Sequence, residues 1–197
     1  MDALLTSAHC AYNSGDPTKP FYNNSNWMGS VRFGSSTTHN TLRDIALIQG
    51  DTFSGYGTST YVGGYNGSSL VRTTAPLTPA VDLYVCFGGT FSGERCSAKI
   101  LNTNKTEGGV GPLFTAQRTS GALSAEGDSG GPVYTYHHAN SGTYLRPVGI
   151  VTGSYPQTYP APCSGVATMS CSRRSVSAQI TTAQGPMAFD ILASSED

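Results

Sequence analysis

The sequence predicts an all-β protein made of short strands, and three observations support this fold class. Glycine occurs 24 times and tyrosine 11 times, while charged residues make up only 12% of the 197 residues. Glycine supplies turn geometries, and tyrosine, threonine and valine fit pleated surfaces. Apolar residues form short runs between turn residues, and neither helical heptads nor long stretches rich in Ala, Glu, Lys and Leu occur. The chain is long enough for one large domain or two small ones.

The individual strands are predicted from short β-forming runs bounded by Gly, Pro, Asn and Ser. They are expected at 31–33, 44–48, 59–62, 84–87, 98–101, 113–117, 132–136, 144–152 and 176–180. Residues 12–30, rich in Asn, Ser, Gly and Pro, are predicted to form a long surface loop, and residues 187–195 a short C-terminal helix. The two prolines within 73–79 disfavour both helix and central strand, so this segment is the best linker candidate.

Charge and composition exclude several classes of function. The net charge is −1 and the 11 basic residues are scattered, so no basic stripe predicts binding to nucleic acid. No apolar run is long enough to span a membrane. The pair His137-His138 opens a polar stretch typical of a hairpin tip, and no third ligand accompanies it. We therefore expect no metal, no cofactor, no nucleic-acid partner and no membrane partner.

The five cysteines predict disulfides, because their spacing suits loop closure and no metal-binding Cys-x-x-Cys pair occurs. The natural bridges are Cys86–Cys96 and Cys163–Cys171, which leaves Cys10 over. Closing a loop the size of 86–96 would stabilise the folded chain by roughly 3 kcal/mol in the chain-entropy model. Disulfides predict a secreted, extracellular protein. The chain opens without a signal peptide, and together with the odd cysteine this predicts that an upstream segment is missing.

The strongest chemical signal is the hexapeptide Gly-Asp-Ser-Gly-Gly-Pro at 127–132, which contains Ser129. A nucleophilic serine needs an exposed hydroxyl on a tight turn, beside backbone N–H groups directed at a developing oxyanion. Flanking glycines permit such a turn and a close approach of substrate. A plain Gly/Ser turn is the alternative interpretation of this segment.

Two further segments supply partners for Ser129. His9, in Thr-Ser-Ala-His-Cys at 6–10, has an imidazole that can act as general base near neutral pH. Asp44 enters the apolar run 45–48, where burial of a carboxylate is costly unless it is paired. Orienting an imidazole would satisfy that carboxylate. Taken singly, each would be read as a structural residue.

The order His, Asp, Ser and the local context of each residue resemble the chymotrypsin/trypsin family of serine proteases, in its secreted bacterial form. The resemblance covers most of the chain and is strongest at 4–10, 43–49, 84–96 and 127–133. It implies two six-stranded antiparallel β-barrels packed face to face around a cleft. The first barrel, at 1–75, is expected to be incomplete. The second, at 76–197, would carry the serine and end in a short helix.

The resemblance also implies a mechanism. Ser129 would attack a peptide carbonyl while His9 takes its proton, and Asp44 would orient the imidazole. The backbone N–H groups of Gly127 and Ser129 would form the oxyanion hole, each worth on the order of 3–4 kcal/mol in the transition state.

Substrate binding is implied for two segments. Thr152, Gly153 and Ser154 would pair with the substrate backbone as an added strand. Leu123, six residues before the serine, takes the position that in the family lies at the base of the primary pocket, where an Asp selects Arg or Lys. With leucine there, a preference for apolar or small side chains is expected, and cleavage after Arg or Lys is not.

The chain departs from the family pattern in two ways. The family places further residues before the histidine motif, including a cysteine that would bridge to Cys10. In the family a cation neutralises the Asp that precedes the serine, here Asp128. Bacterial relatives often place an arginine just after the first cysteine of the 86–96 loop, where this chain has Phe87. The cation for Asp128 is therefore unidentified in the sequence.

Three functions remain open on the sequence. The favoured one is a monomeric serine endopeptidase acting on polypeptides. The second is a catalytically inactive homologue or fragment of the same fold, and the third is a non-enzymatic adhesion or sugar-binding module suggested by composition.

Overall fold

In the computed structural model, residues 3–12, 18–23, 26–32, 39–40, 43–49, 59–63, 69–163, 170–191 and 193–194 are described. Over these residues the chain forms two sheets and two short helices, which confirms the predicted all-β class. No helix in this part of the chain is long and apolar enough to cross a membrane.

The first sheet is antiparallel, with the order β1, β5, β3, β2, while β4 pairs with β5. Its strands are β1 (Ala3–Thr6), β2 (Thr18–Asn23), β3 (Asn26–Arg32), β4 (His39–Asn40) and β5 (Ile45–Gln49). A short helix, α1 (Ala8–Tyr12), follows β1. Within the described residues this sheet does not close into a barrel, as expected for the first half.

The second sheet contains a closed barrel of six antiparallel strands, since β11 pairs with β8 on one side and β12 on the other. Around the barrel the order is β11, β8, β9, β10, β13, β12. Its strands are β8 (Tyr84–Gly89), β9 (Gly93–Glu107), β10 (Val110–Gln117), β11 (Pro132–Ala139), β12 (Gly142–Ser154) and β13 (Arg174–Gln179). The predicted six-stranded second barrel is thus confirmed.

A hairpin from the first half attaches to this barrel. It consists of β6 (Ser59–Val62) and β7 (Ser69–Thr73), and β7 runs parallel to β12. The hairpin precedes residue 76 in sequence although it belongs to the second sheet. The division of the chain at 75/76 stays a prediction.

Strand β5 joins the two halves of the core because its side chains alternate between two apolar clusters. Ile45 and Leu47 pack with residues of the second sheet, including Leu113 and Ile150. On the opposite face, Ala46 and Ile48 pack with residues of the first half, Ala8 and Leu4. The apolar run at 45–48 is therefore buried on both faces of the sheet. A third cluster fills the interior of the six-stranded barrel and includes Val85, Phe87, Phe114, Leu123, Val148 and Val151.

The structure differs from the sequence prediction in two segments, although the predicted short C-terminal helix itself is present. The loop predicted over 12–30 contains the hairpin of β2 and β3, because β-forming residues such as Phe21 and Trp27 outweigh the neighbouring Asn, Ser and Pro; residues 13–17 and 24–25 lie outside the described part. The C-terminal helix, α2, covers Ile180–Met187 instead of 187–195. Ala188 adopts a left-handed conformation and ends the helix, after which Phe189 packs against the core.

Both predicted disulfides are present. Cys86–Cys96 links β8 to β9, and Cys163–Cys171 closes the loop before β13. Cys10 is a free, half-buried thiol.

Candidate active site

The register of β1 and β5 brings His9 and Asp44 together. The last pair of this ladder is Thr6 with Ala46. Immediately after β1 the chain turns into α1, and the N–H of Cys10 donates to the carbonyl of Ser7. His9 follows Thr6 by three residues and Asp44 precedes Ala46 by two, so both side chains lie at the same end of the ladder.

Asp44 holds His9 at both the ring and the backbone. Its Oδ1 accepts from the backbone N–H of His9 at 2.9 Å and lies 2.9 Å from His9 Nδ1, while Oδ2 lies 3.0 Å from Nδ1. Asp44 is only 4% exposed and has a positive φ of 53°, a conformation that Asp tolerates better than most residues. This arrangement fixes the ring and directs Nε2 away from the carboxylate.

The environment of His9 favours the protonated imidazole. The hydrogen bond with Asp44, followed by that with Cys10, raises the pKa of His9 from 6.5 to about 10, although burial of the ring opposes the shift. The Asp44 carboxylate therefore stabilises the charged form of the imidazole.

Ser129 lies on a tight turn between β10 and β11. Gly127 and Gly130 on either side have φ of 91° and 87°, conformations that favour glycine. The N–H of Gly130 donates to the carbonyl of Val151 at 2.8 Å, and that of Val151 donates to Gly131 at 2.9 Å. The turn is thereby anchored to β12.

The catalytic partners predicted from sequence meet around the Cys10 thiol. Cys10 Sγ lies 3.7 Å from His9 Nε2 and 3.9 Å from the backbone carbonyl oxygen of Ser129. The Ser129 hydroxyl donates to the carbonyl of Thr152 at 3.2 Å, and in the described part of the chain it makes no hydrogen bond with His9. His9 and Ser129 are thus brought to one place, but their side chains are not yet hydrogen-bonded.

The predicted oxyanion donors are the backbone N–H groups on either side of Asp128. Among the described residues, the N–H groups of Gly127 and Ser129 donate to no protein acceptor. Gly127 is exposed and Ser129 half-buried. Two unpaired, accessible N–H groups beside a serine hydroxyl are suited to stabilising an oxyanion.

Asp128, between these two donors, is almost fully buried, with 1% exposed. Its carboxylate accepts four hydrogen bonds, from the N–H groups of Phe91, Ser92 and Ala125 and from the Ser92 hydroxyl. None of the ion pairs in the described residues involves Asp128. Among the described residues, the groups that contact this carboxylate are therefore neutral donors and not a cation.

The predicted substrate strand lies beside the serine. The register between β12 and β13 slips between Val151 and Gly153, so Thr152 forms a bulge, a feature common next to active sites. Gly153 and Ser154 pair with β13 on one edge. No strand of the described chain pairs with their other edge.

Leu123 belongs to the same apolar cluster as Val151, the residue before Thr152. Its side chain is fully buried in the apolar cluster inside the barrel. Its N–H donates to the carbonyl of Ser172 at 2.7 Å, which places the strand segment before β13 next to it.

Sequence reasoning missed two residues of this site, Ser7 and Ser92. The Ser7 hydroxyl donates to the carbonyl of Val151 at 2.7 Å, and Ser92 contacts Asp128 from 36 positions away. Ser7 lies within the histidine motif, so its position carried a signal. Ser92 carried none, because a serine in a hairpin turn is ordinary in so serine-rich a sequence.

Comparison with known proteins identifies the fold. No protein-family model matches the chain, and no curated protein matches it. Among solved structures, the chain is similar to Nocardiopsis protease (TM-score 0.66, 15% identity, 96% of this chain and 84% of the other). It is also similar to Thermobifida fusca protease A (TM-score 0.62, 18% identity, 98% and 85%). A third is a glutamic acid-specific serine protease that uses a histidine triad in substrate binding (TM-score 0.65, 16% identity, 95% and 85%). The chain has the fold of the bacterial chymotrypsin-like serine proteases.

Proposed function

We propose that the protein is a secreted serine endopeptidase that hydrolyses peptide bonds through an acyl-enzyme intermediate. The observation that carries the proposal is that Asp44 holds both the backbone N–H and the ring of His9. Ser129 lies nearby on a turn flanked by glycines, and within the described residues the N–H groups of Gly127 and Ser129 are unpaired. Hydroxyl, imidazole, carboxylate and oxyanion donors together constitute the chemistry of acyl transfer.

In the proposed reaction, the Ser129 hydroxyl turns from the Thr152 carbonyl toward His9 Nε2 by a change of side-chain rotamer. Neutral His9 removes the proton as the oxygen attacks the substrate carbonyl carbon. The N–H groups of Gly127 and Ser129 receive the resulting oxyanion. Protonated His9 then gives its proton to the leaving amine as the peptide C–N bond breaks. In the second half, neutral His9 takes a proton from water as the water oxygen attacks the acyl carbon, and it returns that proton to Ser129 Oγ as the ester bond breaks and the carboxylic acid product leaves. Asp44 keeps the ring oriented and stabilises its charged form.

The substrate would bind as an added strand along Thr152, Gly153 and Ser154. The unpaired edge of this segment supports the proposal, because strand addition needs free backbone donors and acceptors. Leu123 is apolar and offers no negative charge to a basic substrate side chain. Arg173 and Arg174 add positive charge next to Ser172, whose carbonyl accepts from the Leu123 N–H. We expect a preference for apolar or small side chains and no preference for Arg or Lys.

The two disulfides support secretion, because such bridges persist in oxidising compartments. Polypeptides are the only partners that the proposal requires, so we expect the enzyme to act as a monomer.

A second candidate is a catalytically inactive protein of the same fold. The observation that favours it is the hydrogen bond of Ser129 to Thr152 instead of His9. Hydrogen bonds of catalytic groups commonly lengthen or rearrange without substrate, so we favour the endopeptidase.

A fluorophosphonate probe separates the two candidates. The endopeptidase would be labelled at Ser129, and labelling would be lost in Ser129→Ala and His9→Ala. The exposed residues Ser120 and His138 provide matched controls, and Ser120→Ala and His138→Ala should label like the unmodified protein. Absence of labelling and of peptide hydrolysis in the folded protein would favour the inactive candidate, and glycan binding without labelling would favour an adhesion module.

A peptide panel tests the specificity in the same preparation. Cleavage after apolar or small residues is expected, and a clear preference for Arg or Lys would contradict the proposal.

A further inference from the structure

The carboxylate of Asp128 is enclosed by donors from two separate segments. Oδ1 accepts from the N–H groups of Phe91 at 2.8 Å and Ser92 at 3.2 Å. Oδ2 accepts from the Ser92 hydroxyl at 2.5 Å and from the N–H of Ala125 at 2.8 Å. The Ser92 side chain is therefore the one side-chain donor to Asp128 among the described residues, and the remaining three donors belong to the backbone.

Residues 89–93 bring this donor set to the carboxylate. Gly89 and Gly93 pair at the end of β8 and β9, and residues 90–92 form the turn between them. A Cβ on Gly89 would overlap the carboxyl group of Asp128, so the turn approaches it closely. The Cys86–Cys96 disulfide ties the same two strands together. The donor turn is thus held firmly, as a positioning element requires.

Removing the Ser92 hydroxyl would leave a buried charge short of a donor. Ser92 is only 1% exposed, so water does not readily take the place of its hydroxyl. Hydrogen bonds to a charged acceptor are among the stronger ones in proteins, and a buried charge that loses a partner tends to reorient. Reorientation of Asp128 would turn the peptides on both of its sides, which carry the N–H groups of Gly127 and Ser129.

We propose that Ser92 is a positioning residue for the oxyanion hole, because its hydroxyl donates to the Asp128 carboxylate and holds it in place. This proposal rests on the proposed serine endopeptidase function. It assigns to the 90–92 turn the task of setting the direction of the Gly127 and Ser129 N–H groups through Asp128.

The kinetic test compares Ser92→Ala with Ser92→Thr, which keeps the hydroxyl. The matched control is Ser177→Ala, because Ser177 is also fully buried but its hydroxyl has no partner in the described structure. Active sites are first counted by fluorophosphonate titration, so that kcat refers to folded, competent enzyme. Loss of an oxyanion donor costs about 100- to 1000-fold in kcat, and a misdirected donor should cost less.

We expect Ser92→Ala to lower kcat per titrated site by roughly 10- to 100-fold, with KM changed by less than about threefold. A peptide aldehyde, whose adduct carries an oxyanion, should lose affinity by a similar factor, while a product peptide should not. Ser92→Thr should recover most of kcat and Ser177→Ala should keep it. Unchanged kcat per titrated site in Ser92→Ala would overturn the proposal, whatever happens to the yield of folded protein.

A second readout needs no activity and so separates this proposal from the proposed function. The amide resonances of Gly127 and Ser129 should shift in Ser92→Ala and stay in place in Ser177→Ala. Unshifted resonances would overturn the positioning role even in a protein that hydrolyses nothing. If Ser92→Ala does not fold, Ser92→Cys replaces it, because a thiol is a weaker donor than a hydroxyl. The amide resonances of Gly127 and Ser129 should still shift in Ser92→Cys. Resonances that coincide with those of the unmodified protein would overturn the proposal.

Discussion

The hydroxyl of Ser7 donates a hydrogen bond to the backbone carbonyl of Val151 at 2.7 Å. Ser7 immediately precedes α1, which carries His9, while Val151 precedes Thr152, the residue that accepts from Ser129. Both Ser7 and Val151 are almost fully buried. This contact therefore links the segment that carries His9 to the strand that holds the Ser129 turn.

Substitution of Ser7 tests that link. Ser7→Ala should lower the free energy of unfolding by about 0.5–1.5 kcal/mol, because it removes one hydrogen bond while the Val151 carbonyl still accepts from the Gly130 N–H. It should also lower kcat/KM by roughly tenfold, since small errors in alignment are costly in catalysis. Urea unfolding and peptide hydrolysis measure the two effects, with Ser120→Ala as the exposed control. Full activity in Ser7→Ala would show that the two sides align without this contact.

The pH dependence of hydrolysis follows from the pKa of His9. The imidazole is a base only when neutral, so kcat/KM should rise as the pH passes the His9 pKa, which Asp44 and Cys10 raise to about 10. We therefore expect the rising limb of kcat/KM to lie well above the ordinary value of 6.5. A limb at or below pH 6.5 in the unmodified protein would contradict this expectation.

Cys10→Ala separates the two contributions to that pKa. It removes the sulfur 3.7 Å from His9 Nε2 and keeps the contact with Asp44, so the rising limb of kcat/KM should move to lower pH.

The raised pKa of His9 also stabilises the folded state fully below pH 6.5, and this contribution should disappear as the pH rises through about 10. Stability curves of Cys10→Ala and the unmodified protein should accordingly converge at alkaline pH.

Glu94 anchors two tyrosines next to the Cys86–Cys96 disulfide. The hydroxyls of Tyr134 and Tyr136 both donate to Glu94 Oε1 at 2.6 Å. Burial, aided by the Glu94 charge, raises the pKa of Tyr136 to about 12. Glu94→Ala should lower the free energy of unfolding by about 1–3 kcal/mol, because it strands the buried Tyr134 hydroxyl. Glu94→Gln keeps an acceptor oxygen and should lose less unfolding free energy than Glu94→Ala, as measured by urea unfolding. Equal losses in the two variants would show that the charge of Glu94, and not its acceptor, stabilises the protein.

The turn at Ser129 could be predicted from the sequence because its backbone geometry depends on the neighbouring glycines. The glycines at 127 and 130 need positive φ, and both have it. The strand predicted at 44–48 is observed as β5, Ile45–Gln49, and its apolar residues pack into two clusters. Position in the chain and residue type were sufficient for these elements.

What the sequence could not provide depends on pairing between distant segments. The partner of Asp128 is a hydroxyl 36 positions away, and nothing around Ser92 distinguishes it from other turn serines. The hairpin of β2 and β3 lies in a polar segment whose composition favoured a loop, and backbone pairing prevailed. The C-terminal helix lies earlier in the chain than predicted, because Ala188 ends it and the following Phe189 and Ile191 pack against the core.

A double-mutant cycle on peptide hydrolysis shows whether His9 and Ser129 act as one catalytic unit. Residues of one unit are strongly non-additive, since loss of either disables the same step. His9→Ala and Ser129→Ala should each reduce kcat by several orders of magnitude, and the double variant should be no slower than either. Losses that multiply in the double variant, or a Ser129→Ala protein with undiminished kcat, would show that His9 and Ser129 do not form a catalytic unit.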